Sequence, residues 1–388
     1  DGDNDKSNSS IEGADQAAAA TAAPHPQRLG IALSEIKTAE LIQREEQKQR
    51  EAAIDETRAV QRAEAMLRDG TQHAIHYAVK GLVAVSVGSA PLNTGVIEEC
   101  KKLHPSAGGE EIKEVKDARP RGEAANDTGM VLEDTLKKLI CKVVANGSAP
   151  GPSGWTGEML RVVAMDKQSI SGLSCMVQAL LNNWFADSDE EEGVRQLMLA
   201  SRLVLISKKA VDGTPKGLRP IACGEALVKA AAVYGNALIG PNMSKIWAKN
   251  GIQFGVAIPG GCDTAIHKIQ AALDADSECV AVLADIANAF NTRNRAAIAR
   301  ALYNCPEAQP IFAMFRFAYG GAPTSLLVYG QNGKHVHTQE SATGVRQGDP
   351  LASLLFAISM EQIYARAKNA GGAEMNSVEC VAILDDFT

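Results

Sequence analysis

Apolar residues recur along this chain at two spacings, and the switch between them divides it into helices and strands. At helical spacing they run from about Val131 to Ala145, Gly157 to Ala164, Ile170 to Phe185 and Asp263 to Leu273. These segments predict helices that bury one face. A further helix opens at Pro350, with Leu351, Leu354, Leu355 and Ile358 on its core side. Shorter patterns predict strands. Arg202–Lys209 and Gly217–Ala222 flank a turn at Asp212-Gly213, and Ser325–Tyr329 and His335–Thr338 flank Asn332-Gly333, a strong two-residue hairpin signal. Val280–Ala284 and Val381–Leu384 are continuous apolar runs and read as buried strands.

The polar stretches set the boundaries. Residues 1–30 have no apolar period and are expected to be disordered. Residues 31–104 form a helical N-terminal region, with a long solvated helix from Ser34 to Arg68 and a second from about His73 to Val85. Residues 105–130 are rich in Gly, Glu and Lys and read as a linker; residues 131–388 form the main body. The acidic run Asp187–Glu192 reads as a solvated loop. Proline and glycine force a turn at Ala149-Pro150-Gly151-Pro152-Ser153-Gly154, with Trp155 expected to anchor it in the core. It is no phosphate loop, because no Gly-Lys-Ser/Thr follows. Gln253-Phe254-Gly255-Val256 and Pro259-Gly260-Gly261 lead into the Asp263 helix.

Composition changes this picture little. With 388 residues, two or three domains are expected. The net charge of −7 does not announce a nucleic-acid binder, so any such surface must be a local basic patch. Eight cysteines are scattered singly, without CxxC. They read as mostly buried free thiols in a reducing, intracellular setting, as in Leu139-Ile140-Cys141. No apolar run is long enough to cross a bilayer. With no initiator methionine and only two residues after Asp386, the chain reads as a fragment.

The chemistry concentrates between Asp285 and Asp385-Asp386, the carboxylates that follow the two apolar runs. Burying adjacent carboxylates costs several kcal/mol each unless a cation compensates. Two divalent ions would compensate, and would stabilise the oxygens of an in-line phosphoryl displacement. Alone, Asp285 reads equally as a helix cap. Gly344-Val345-Arg346-Gln347-Gly348-Asp349-Pro350-Leu351 forms a glycine turn opening a helix, with Arg346 and Gln347 expected exposed over a cleft. Lys208, Lys209 and Arg219 cluster at one hairpin end, either as a triphosphate clamp or as an edge blunted by lysine. His335 and His337 alternate on one strand face, as structural histidines or as metal ligands.

The order of five pieces resembles a reverse transcriptase of a non-LTR retrotransposon. They are Ala149–Gly154, Arg219-Pro220-Ile221-Ala222, Asp285…Phe290, Gly344…Leu351 and Asp385-Asp386. The resemblance spans about residues 60–388. It implies an α+β right-hand polymerase, fingers and palm with an antiparallel palm sheet, thumb absent. It implies an RNA-directed DNA polymerase, working in the nucleus with an RNA template, a DNA primer, dNTPs and two Mg²⁺. Asp285, Asp385 and Asp386 match the metal-binding carboxylates, and Phe290 the aromatic that excludes a 2′-hydroxyl. Gln347 and Gly348 match the turn lining the nucleotide pocket. Arg219 and one of Lys208 or Lys209 match the residues that hold the triphosphate. The sequence departs from the family at Ile383-Leu384, where an aromatic is usual, and at Asn291, where Asp is common. The missing thumb implies weak activity for this stretch alone. An RNA-dependent RNA polymerase, or a domesticated element that only binds RNA, are the competing readings.

Overall fold

The structure, a computed structural model, describes residues 90–120, 129–144, 149–183, 189–209, 215–330, 333–369, 380–384 and 386–387. For residues 189–191, 209, 215, 386 and 387 it describes the backbone alone. The chain divides into two compact units, residues 1–87 and 88–388, and every described residue lies in the second. The expected disordered stretch and the two helices before residue 86 therefore lie outside the described residues.

The second unit is mixed helix and sheet, in keeping with the α+β class. Its larger sheet has the order β2-β1-β4-β5, from β1 (Ser201–Lys209), β2 (Pro215–Cys223), β4 (Thr324–Tyr329) and β5 (His335–Ser341). β1 pairs antiparallel with β2 and parallel with β4. Alternation fixes the faces: Leu203 and Leu205 point inward with Leu218, Leu326 and Val328, each buried. Helix α1 (Thr94–Leu103) covers that face with Val96, Ile97, Cys100 and Leu103. These recur at helical spacing, and the Asn93 side chain caps the helix by accepting from Val96 N at 2.9 Å. Each fully buried leucine here contributes about 1.5–3 kcal/mol.

The main core is helical. It gathers α3 (Glu133–Val143), α4 (Gly157–Met165), α5 (Ser169–Leu181), α7 (Ala226–Asn250), α10 (Arg295–Tyr303), α11 (Phe312–Tyr319) and α12 (Ala352–Asn369). In α12 seven consecutive residues, Leu354 to Met360, are buried, as expected of a helix enclosed on all sides. α7 ends at Gly251, whose left-handed backbone lets its N–H reach Trp247 O at 2.8 Å, and α8 (Gly261–Ala275) follows.

Several expectations need correction. The linker 105–130 contains helix α2 (Gly109–Asp117), because Ile112 and Val115 share one face and Val115 is buried. The acidic run begins helix α6 (Asp189–Leu199), where Glu192 grips the buried Arg195 three residues on. Trp155 is 47% exposed; polar contacts, described below, anchor its turn instead. Cys141 is exposed, since Leu136 and Ile140 take the buried side of α3. The loop of the β4–β5 hairpin closes through Gly330 N to Lys334 O at 2.9 Å, a wider loop than a two-residue turn. Asn332, like Asp212-Gly213, lies outside the described residues. His335 contacts Thr338 and packs edge-on against the Tyr329 ring, and His337 contacts Gln339.

Candidate active site

A second, small sheet has the order β3-β7-β6, from β3 (Ala284–Asp285), β6 (Ala382–Ile383) and β7 (Asp386–Phe387). Its register sets Asp285 opposite Asp386 and Ala284 opposite Phe387, antiparallel. Directly opposed residues of such a pair have Cα atoms about 4.5–5.5 Å apart. The predicted buried strand Val280–Ala284 is not what forms: Val280 and Leu283 are each 80% exposed. Among the described residues, β7 pairs with Ala284 and Asp285 alone in β3. Asp285 itself is exposed. Asp385 and the Asp386 side chain lie outside the described residues. Among the described residues no group of three His, Cys, Asp or Glu side chains is arranged to hold a metal.

After β3 the chain turns through Asn288, whose left-handed backbone (φ 53°) suits asparagine. Its amide donates to Leu103 O at the end of α1 (2.8 Å), and its Oδ1 accepts from Asn291 (2.9 Å). The turn leads into the short helix α9 (Ala289–Thr292). Phe290, half-buried, stacks on Phe356 with ring centroids 5.0 Å apart. That pairing fixes its ring against α12.

The Gly344–Leu351 turn ties this loop to the larger sheet. Val345 N donates to Phe290 O at 2.7 Å, and Ala222 N at the end of β2 donates to Gln347 O at 2.7 Å. Gly344 (φ 68°) and Gly348 (φ 107°) both lie in left-handed backbone. A Cβ at Gly344 would strike the Phe290–Asn291 backbone, and one at Gly348 would strike Ala222 O. Glycine is required at both for conformation and for space. Gln347 is half-buried and Gly348 exposed.

Arg346 corrects the expectation of an exposed turn, being only 7% exposed. Its guanidinium donates to Leu199 O (3.3 Å) and Thr324 Oγ1 (3.2 Å), and lies 4.9 Å over the Tyr319 ring. Tyr319 Oη donates to Asp349 at 2.5 Å and accepts from Arg346 N at 3.3 Å. Arg295, also buried, donates to Gly344 O (2.8 Å) and Ser341 O (3.0 Å). Burial pushes the Arg295 guanidinium down to about 9, partly offset by Tyr319. Burial, then Asp349, raises the Tyr319 hydroxyl. These residues act from inside, fixing a turn whose outer rim is Gln347-Gly348.

On β1 and β2, Ile206 is opposite Arg219 and Lys208 opposite Gly217. Lys208 and Arg219 therefore share the face that α1 leaves open, and both are exposed. The Lys209 side chain lies outside the described residues. The Ala149–Gly154 piece docks nearby: Ser153 N donates to Glu225 Oε1 at 2.8 Å, its hydroxyl donates to Oε2, and Lys229 donates to Ala149 O at 3.3 Å. Glu225 follows β2 and precedes α7.

Residues that sequence reasoning passed over hold these pieces together. Glu111 of α2 accepts from Arg295 N (2.6 Å) and Thr343 Oγ1 (2.9 Å), and Glu99 of α1 accepts from Leu218 N (3.0 Å). The signal for α2 was its Ile112–Val115 spacing.

No protein-family model matches the chain. It is similar to the retrotransposable element SLACS 132 kDa protein of Trypanosoma brucei gambiense, 30% identical over 270 residues. That match covers 69% of this chain and 21% of the relative. It is also similar to the retrovirus-related Pol polyprotein from type-2 retrotransposable element R2DM of Drosophila melanogaster, 25% identical over 263 residues. There the match covers 65% of this chain and 23% of the relative, so the chain spans less than a quarter of either protein's length. With five sequence pieces joined in one region, the chain belongs with these retrotransposon polyproteins, in the stretch corresponding to a non-LTR reverse transcriptase.

Proposed function

We propose that this stretch is the fingers and palm of an RNA-directed DNA polymerase, adding dNTPs to a DNA primer 3′-hydroxyl on an RNA template. The observation that supports it most is the β3–β7 register, with Asp285 opposite Asp386. Like charges directly opposed across two strands repel, and an all-oxygen donor set suits magnesium. Asp285, Asp385 and Asp386 would hold two Mg²⁺, which when bound supply positive charge for the attacking and leaving oxygens.

The chain's own side chains supply the rest of this reading. Lys208 and Arg219, with Lys209 beside them, bind the triphosphate from the open face of the β1–β2 hairpin. The Gln347-Gly348 rim lines the nucleotide pocket, and its hydrogen bond to Ala222 keeps it in register with that hairpin. Phe290, fixed by Phe356, occupies the space a 2′-hydroxyl would need. No helix among the described residues is long and apolar enough to cross a membrane, and the reading calls for none.

Primer extension on an RNA template, with enzyme in excess, tests this. Deoxynucleotides should be incorporated, and Asp285→Asn should reduce the rate by about 10³-fold or more, roughly 4 kcal/mol. A preference for ribonucleotides, or an Asp285→Asn variant that extends normally, contradicts the proposal.

A further inference from the structure

Leu384, the residue just before the carboxylate doublet, has a left-handed backbone (φ 61°). That conformation is uncommon for a residue with a Cβ and persists where surroundings impose it. Here both of its backbone polar groups are held by side chains from distant elements. Its N–H donates to Gln253 Oε1 at 3.1 Å, and its carbonyl accepts from Tyr364 Oη at 2.5 Å. Gln253 is fully buried and Tyr364 is buried on α12. The same Gln253 oxygen accepts from Gly255 N at 2.8 Å, which fixes the amide's orientation.

The surrounding backbone continues this grip. Ala382 N donates to Ile252 O and Phe254 N donates to Ala382 O, both at 2.8 Å, which makes Gln253 a parallel bridge partner of β6. A Cβ at Gly255 would lie 2.8 Å from Leu384 N, so only glycine lets the two segments approach this closely. The Gln253-Phe254-Gly255 stretch, to which the polymerase reading gives no role, is thus the seat of the turn that carries the doublet.

We propose that Gln253 and Tyr364 are positioning residues that hold Leu384 in its left-handed turn and so set the register of β7, with Asp386 opposite Asp285. The claim rests on the reading of those carboxylates as a cation site, and its test separates the two. Hydrogen exchange and Mn²⁺ titration by electron paramagnetic resonance are measured on the 388-residue chain. Wild type is compared with Gln253→Leu, Tyr364→Phe and Asp285→Asn. Tyr364→Phe removes one hydroxyl and nothing else, so it remains informative if Gln253→Leu does not fold. The expected result is faster exchange confined to residues 380–387 and the strand at 284–285, with Mn²⁺ affinity about tenfold weaker, the scale of other supporting-residue losses. Unchanged exchange in Tyr364→Phe overturns the clasp whatever the metal does. Faster exchange with wild-type Mn²⁺ affinity overturns its positioning role. A wild-type chain whose Mn²⁺ binding is indifferent to Asp285→Asn overturns the cation-site reading, while the exchange measurement still decides the clasp.

Discussion

The two sheets of this protein are held together in opposite ways. The larger one is self-supporting: its strands run six to nine residues, its faces alternate, and leucines and a covering helix bury its inner side. The smaller one has two-residue strands, too short to be stable alone. It is kept in place by outside groups, the Gln253 amide, the Tyr364 hydroxyl and the Phe254 N–H. Asp285 and Asp386 sit on the small sheet, and the exposed Lys208 and Arg219 on the large one. The difference separates two tasks. Strands with a packed face hold a rigid cationic surface, whereas a short ladder lets two acidic positions meet without building a core around them.

Substitutions that act on one side of this contrast sharpen it. The largest stability effect is expected for Phe315→Ala, in the helical core. Phe315 is fully buried between Phe312 and Tyr319. Truncation should cost about 3–5 kcal/mol in chemical denaturation. A loss below about 1 kcal/mol would contradict the place of this ring in a tightly packed core.

Gly348→Ala should cost less, about 1–3 kcal/mol, because the new methyl group meets Ala222 O in a backbone that disfavours it. Its activity loss should exceed its stability loss, since it parts the turn from β2 and leaves the helical core intact. Equal losses in the two assays would break the link drawn here between turn and hairpin. Smallest in stability is Phe290→Ala, which gives up a stacked pair worth about 0.5–1.5 kcal/mol beyond its burial. Incorporation of ribonucleotides relative to deoxynucleotides should rise about tenfold or more. Unchanged sugar choice would remove the role proposed for this ring.

Much of the scaffold was legible in the sequence because periodicity reports burial. The alternation of Arg202–Lys209 and the spacing of Leu351, Leu354, Leu355 and Ile358 both appear as expected. All five motif pieces were read in the sequence, and the structure joins them through main-chain bonds and Ser153–Glu225 contacts. What periodicity missed is long-range polar contact. Arg346 looked like a turn residue, but Tyr319 and Thr324, more than twenty residues away, draw it inside. Val280–Leu283 looked buried because an apolar run carries no record of whether a partner strand covers it. Gln253 read only as part of the lead into the Asp263 helix, since a buried amide serving one backbone turn leaves no pattern in its neighbours.

The central claim is that Asp285 and the terminal doublet share one cation site, and iron-mediated backbone cleavage tests it most directly. Fe²⁺ with ascorbate and peroxide, added in place of Mg²⁺, cuts the chain wherever it is bound. The account predicts cuts both near residue 285 and near residues 385–386, suppressed together by excess Mg²⁺ and lost together in Asp285→Asn. Cleavage near one segment without the other, or cuts that persist in Asp285→Asn, would contradict it.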